Sequence, residues 1–167
     1  MLRELIIQQA KLRICEESIP RILKCISMLD LDEIWKKPNE NTNSIGNLIL
    51  HLEGNAIQWI LTTFTDITDD RNRDYEFASL EKLDHTILTE KLSALQSKLN
   101  VCFDKINDEQ LNAIHTVQCF EETGVGIIVH VIEHFSYHTG QIALLTKLLT
   151  NKDTHFYGDL DLNKTNK

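Results

Sequence analysis

Apolar residues at Leu2, Leu5, Leu12, Ile19, Ile22, Ile26 and Leu29 recur at steps of three, four or seven, the spacing that lines one side of a helix. The pattern predicts a first helix over residues 2–30. Pro20 falls inside it. A proline removes a backbone donor and clashes one turn back, so a kink near Glu16 to Ser18, or a fresh start capped by Ser18, is expected. The stretch Asp32 to Asn43 is rich in turn formers and reads as a connector. Ser44 then offers an N-cap, and Ile45, Leu48, Ile49, Leu52, Ala56, Trp59 and Ile60 carry helical periodicity to about Phe64.

Residues 65–79 are polar and without period, a long loop of the kind that often carries function. A third helix follows with Leu88, Leu92, Leu95, Leu99, Cys102, Phe103 and Ile106 as its buried face. Residues 107–122 leave a short helix and an extended turn both open. Thr123 caps a fourth helix, which runs through Val125, Ile128, Ile132, Phe135, Ile142, Leu145 and Leu149 until Asn151. Four amphipathic segments without strand-like alternation predict an all-α four-helix bundle, its helices running up and down with a long loop between the second and third. Such a bundle builds metal and cofactor sites in its core from facing helices. One domain over 1–150 and a loosely held polar tail over 151–167 complete the expected organisation.

Composition narrows the function. The chain is 42% hydrophobic and 25% charged with six Gly and two Pro, which suits a folded globular domain rather than a disordered or fibrous one. A net charge of -8 repels phosphate backbones and anionic headgroups, so neither nucleic acid nor a membrane is expected as a partner. Cys15, Cys25, Cys102 and Cys119 show no Cys-x-x-Cys or zinc spacing and are read as reduced, mostly packed thiols. No stretch approaches the about 20 apolar residues of a membrane span, and the start Met-Leu-Arg-Glu-Leu lacks a signal-like apolar run. The expectation is a cytoplasmic protein.

The fourth helix contains His130, His134 and His138 at successive intervals of four. Each step advances only about 40° round the helix, so the imidazoles share one narrow stripe. The outer two lie roughly 12 Å apart along the axis, and one ion can therefore take either adjacent pair but not all three. A further ligand must come from another helix. His51, beside Leu48 and Leu52 at the edge of an apolar face, is the best offer, because an imidazole there is costly unless something satisfies it. Helical spacing alone also produces His-x3-His pairs that hold no metal. Gln141, three residues after His138, is placed to orient a ligand or a water.

The pairing of Asn47-x3-His51-Leu-x-Gly-Asn55 with His134-x3-His138-x-Gly-Gln141 strongly resembles the DinB-like (YfiT-type) four-helix bundle superfamily. The likeness covers nearly the whole chain. The runs Asn43-Ser-Ile-Gly-Asn-Leu-Ile-Leu-His51-Leu-Glu-Gly-Asn55 and Arg71-x-Arg73-Asp74-x-Glu76-Phe77 look like a branch of it without an assigned reaction. The resemblance implies His51, His134 and His138 on one divalent ion, zinc or nickel, with open positions for water or substrate. His130, Gln141 and Asn55 then stand beside the ligands, and His85, His115 and His155 are solvated or loop residues.

Relatives include transferases that use low-molecular-weight thiols. By similarity the first expectation is a metal-dependent thiol S-transferase or hydrolase acting on a small molecule. Three neutral imidazoles leave an ion its full charge and a free position, the arrangement of open rather than closed sites. Arg71 and Arg73 are candidates to grip an anionic substrate, against the alternative of a solvated loop pairing with Asp70 and Asp74. Glu53 and Glu133 lie close in sequence but point off the ligand stripe, so no general base is assigned. The competing expectation is a non-enzymatic metal-binding stress protein, as a homodimer, in which the ion staples the helices.

Overall fold

The computed structural model describes residues 1–78, 82–158 and 160–165. The last residue of the expected 65–79 loop, and residues 159, 166 and 167 of the expected tail, lie outside them. Helix dominates, with two short strands.

The first helical run is α1 (Leu2–Ala10), a π-helical segment (Lys11–Ser18) and α2 (Ile19–Ile26). Pro20 does not start a new helix under a Ser18 cap, because Ser18 keeps helical dihedrals and makes no cap bond. The turn widens, and the Ile19 N–H reaches Ile14 O, five residues back. In that register the next carbonyl, Cys15 O, meets Pro20, which has no hydrogen to give. Gln96 Nε2 donates to Cys15 O at 2.5 Å in its place, and Ser18 Oγ donates to Arg13 O at 2.7 Å. The wide segment is how the helix absorbs its proline.

The expected connector contains a helical turn, α3 (Leu31–Ile34), opened by an Asp30 and Glu33 capping box. Ser44 caps α4 (Ile45–Ala56) reciprocally with Asn47. The run continues through a second π segment (Ile57–Leu61) and α5 (Thr62–Phe64). The polar loop after it is not wholly irregular, for it contains α6 (Arg73–Ala78). Asp84 caps α7 (His85–Lys105). The ambiguous stretch resolves into α8 (Asp108–Asn112) and a hairpin of β1 (Ile114–Val117) and β2 (Phe120–Thr123), closed at Val117↔Phe120 with Gln118 at φ 55. Thr123 caps α9 (Gly124–Thr150), which ends on Asn151 in the left-handed region.

The interior is aliphatic, with Ile14, Ile22, Ile49, Leu52, Leu99, Phe103 and Phe135 buried in one cluster. Lys11 Nζ meets Asp104 at 2.6 Å and Arg3 Nε meets Ile106 O at 2.6 Å, so the N-terminal helix and α7 run antiparallel. Glu53 meets Lys91 at 2.8 Å, while Leu61 shares a groove with Val101 and Cys102, so α4 and α7 run the same way. The connection through α6 carries the chain back along the molecule, and helix directions do not simply alternate. The segment after α9 is not loose throughout. Thr154 is buried, and Phe156 and Tyr157 lie under the Arg21 guanidinium at 5.7 and 5.5 Å. No helix among the described residues is long and apolar enough to cross a membrane.

Cys15, Cys25 and Cys102 are buried, and Cys119 is exposed at the hairpin turn. Burial pushes the Cys15 thiol up to about 12 and the Cys102 thiol to about 11, which makes both poor nucleophiles.

Candidate metal centre

His51 sits on the buried side of α4, and His134 and His138 lie one turn apart on α9. α4 crosses α9 so that the three rings converge. Their centroids are 4.8 Å apart for His51 and His134, 5.1 Å for His51 and His138, and 4.5 Å for His134 and His138. One nitrogen from each falls within 4.8 Å of the others, a group that could hold a metal ion. His130 is outside it. Its ring stacks on Trp59 at 4.0 Å and 28°, and its centroid is 5.7 Å from that of His134.

Two of the three rings are fixed from behind. Glu76 Oε2 lies 2.8 Å from His51 Nδ1, and Gln141 Oε1 lies 2.7 Å from His138 Nδ1. A carboxylate and an amide oxygen can only accept, so each Nδ1 carries the hydrogen, and in the neutral ring Nε2 keeps its lone pair. Histidine ligands are commonly held in this way, which fixes ring and tautomer together. His51 Nε2 then faces His134 Nε2 at 3.0 Å. Without a proton on His134 Nε2, two lone pairs oppose each other there, and a cation between them relieves that conflict.

Glu76 is itself pinned. Arg71 Nε and Nη2 meet its two oxygens at 2.6 and 2.9 Å, and Arg71 Nη1 donates to Gln58 Oε1 at 2.8 Å. Burial alone would raise the Glu76 pKa, but hydrogen bonds from Arg71 and His51 outweigh it and hold the carboxyl below the usual range. The pair is buried against α4 at Gly54, where a Cβ would collide with Glu76 Oε1 and come within 3.0 Å of Arg71 Nε. Burial, then the neighbouring His138, His51 and His130, drive the His134 pKa down to about 3. His138 is lowered chiefly by burial, partly offset by its bond to Gln141. Both rings are therefore neutral near pH 7, as ligation requires.

The donor set fits a divalent ion. Nitrogens at about 2.0–2.1 Å from a tetrahedral ion lie about 3.4 Å apart, so the widest separation of 4.8 Å closes by small ring movements. Asn55, one turn after His51 on the same face of α4, has its Oδ1 buried with no hydrogen-bond partner. That acceptor is left open for a hydrogen-bearing group.

The remaining sequence candidates separate. Arg71 does not pair with Asp70; it is 4% exposed and committed to Glu76. Arg73 does not pair with Asp74 but lies over the Phe77 ring at 5.1 Å, and that ring is 4.8 Å from the His51 ring. Glu53 pairs with Lys91, and Glu133 is exposed. His115 is half-buried, with Nε2 2.8 Å from Gln110 O and its ring against Phe64. His155 is exposed. Glu76 had no role in the reading of the sequence, although Arg71 and Glu76 stand five apart inside the quoted run. A carboxylate in a polar loop carries no sign of burial.

Fold and site together define a mainly helical protein with three converging histidines suited to a metal ion. The chain belongs to the family described as Protein of unknown function (DUF1572), whose model matches residues 7–158. No curated protein matches it.

Proposed function

We propose that the chain is a DinB-like four-helix bundle enzyme that holds one divalent ion, zinc or nickel, on His51, His134 and His138 and catalyses thiol S-transfer or hydrolysis on a small molecule. The observation that carries this is the ligand set itself: three imidazole nitrogens within 4.8 Å of one another, two of the rings locked by Glu76 and Gln141. When bound, the ion supplies a Lewis acid that acidifies a water or thiol nucleophile. The chain's own residues do the rest. Glu76 accepts from His51 Nδ1 and keeps its Nε2 turned to the pocket. Gln141 does the same for His138. Arg71 neutralises Glu76 from behind and takes no substrate. Arg73, exposed at the rim above Phe77, is the residue left to grip an anionic group, since a guanidinium suits carboxylates. Phe77 and Tyr137, whose rings lie 4.8 and 4.9 Å from those of His51 and His138, wall the entrance.

Elemental analysis of the purified protein beside His51→Ala and His138→Ala variants tests the ligand set. One equivalent of metal in the parent and a large loss in both variants are expected, and full occupancy in both would remove the triad. Thiol-transfer assays of the metal-loaded protein with a carboxylate-bearing thiol and an alkyl halide or epoxide then test the reaction.

A further inference from the structure

A groove of about 790 Å³ runs between the N-terminal helix and α9, within the size range of small-molecule sites. Its α9 residues Ser136, Thr139, Gly140 and Ala143 lie, by helical spacing, on the far side of α9 from His134, and Tyr137, whose ring is 4.9 Å from that of His138, stands between the groove and the histidine pocket. One end holds Arg21, half-buried, its guanidinium poised over Phe156 and Tyr157. No carboxylate pairs with Arg21 among the described residues, whereas Arg13 in the same groove is taken by Glu17 at 2.9 Å. The floor at Gly140 is bare backbone, because a Cβ there would meet nothing within 4 Å. Beside it the Thr139 hydroxyl is buried without a partner, an unsatisfied group of the kind that marks a missing ligand or water. The opposite end carries Glu17 and Glu133.

We propose that this groove is a second binding site, for a small monocarboxylic acid with an apolar or aromatic body, and that Arg21 anchors its carboxylate. Arg21 meets no carboxylate among the described residues, whereas Arg13 is partly taken by Glu17, and the aromatic rings beneath Arg21 hold its fork in place. The body lies along Ile132, Gly140 and Ala143, where the missing side chain makes room. Glu133 disfavours multiply charged anions such as nucleotides by like-charge repulsion, while Glu17 is already met by Arg13. The site stands on the groove alone and holds whether or not the histidines bind metal.

Backbone amide NMR of the full chain, titrated with indole-3-acetate, phenylacetate and octanoate, tests it, with tryptamine as the cationic counterpart. Saturable shifts centred on Thr139, Gly140 and Ala143 are expected for the acids and not for tryptamine. Arg21→Gln should weaken binding by roughly tenfold or more, the worth of a charge-assisted bond, while Arg21→Lys retains part of it. Gly140→Leu, built into open space, should abolish binding without unfolding the chain, and His51→Ala should leave it unchanged. Shifts centred on His134 and His138, undiminished affinity in Arg21→Gln, or no shifts with any of the three acids would overturn the site. So would a concentration-dependent doubling of mass with the same amides perturbed in the absence of acid, which would assign the groove to a second copy of the chain.

Discussion

His51 Nδ1 donates to Glu76 Oε2 across 2.8 Å, joining the middle of α4 to α6 in the polar connection. That bond decides which nitrogen of His51 is free for an ion, and Arg71 keeps its acceptor charged.

Replacing Glu76 by Gln keeps an oxygen for His51 but lowers its basicity and removes the charge that Arg71 meets. Metal affinity should fall by about 10–100-fold, the usual effect of losing a ligand's supporting partner. Competition with a chromogenic chelator measures it, and unchanged affinity would remove Glu76 from the site. Glu76→Ala should cost more, about 3–5 kcal/mol of stability in denaturant unfolding, because it leaves the Arg71 guanidinium buried and unpaired.

The fold of the metal-free protein should weaken on acidification. His134 titrates at about 3 in the folded chain against an ordinary 6.5, so the unfolded chain binds a proton more readily throughout that window and stability falls as the pH drops from 6.5 toward 3. Glu76 acts in the same direction: its folded value is lowered from 4.5, so its contribution is present above that pH and is lost below it. A loss of about 1–3 kcal/mol between pH 7 and pH 4 is expected. Chelator-treated protein unfolded by urea at several pH values gives the slope. His134→Ala should flatten it.

The helices were legible in the sequence because long apolar periods and N-caps are local signals. Ser44, Thr123 and the end at Asn151 all stand where the chain's own chemistry puts them. The widened turn at Pro20 was not legible, since it rests on Gln96, which lies 81 residues from the Cys15 carbonyl that it meets. The β1–β2 hairpin escaped because its strands have four residues each and little burial, so no alternation accumulates. The histidines could be named from spacing and resemblance. Glu76 could not, because its importance lies in a contact 25 residues away with His51.

Arg71 and Arg73, two residues apart, should behave as opposites. Arg71→Ala leaves the Glu76 carboxylate buried beside His51 with its main partner gone, and about 3 kcal/mol of stability and most of the metal affinity should go with it. Arg73→Ala removes only a cation from over Phe77, worth about 0.5–1 kcal/mol at an exposed site, so its melting temperature should stay near that of the parent. Its effect should appear as a raised KM for carboxylate-bearing substrates with kcat little changed, the signature of lost uniform binding. An Arg73→Ala protein with unaltered KM for both charged and neutral substrates would show that the rim cation does not read charge.

Two helical glycines make a matched test of what the space beside them is for. Glycine inside a helix is less favourable than alanine by about 0.8–1.0 kcal/mol, so Gly→Ala stabilises wherever the new methyl has room. At Gly140 nothing lies within 4 Å of the added Cβ, and Gly140→Ala should raise stability by about 0.5–1 kcal/mol without altering metal content. At Gly54 the same methyl collides with Glu76 Oε1 and crowds Arg71 Nε. The helical gain is then overtaken by displacement of a buried ion pair, and a net loss of about 1–3 kcal/mol is expected together with weaker metal binding. Both variants are read by the same urea titration and elemental analysis. If Gly54→Ala proved as stabilising as Gly140→Ala and bound metal normally, the close seat of Glu76 and Arg71 on α4 would have no part in holding His51.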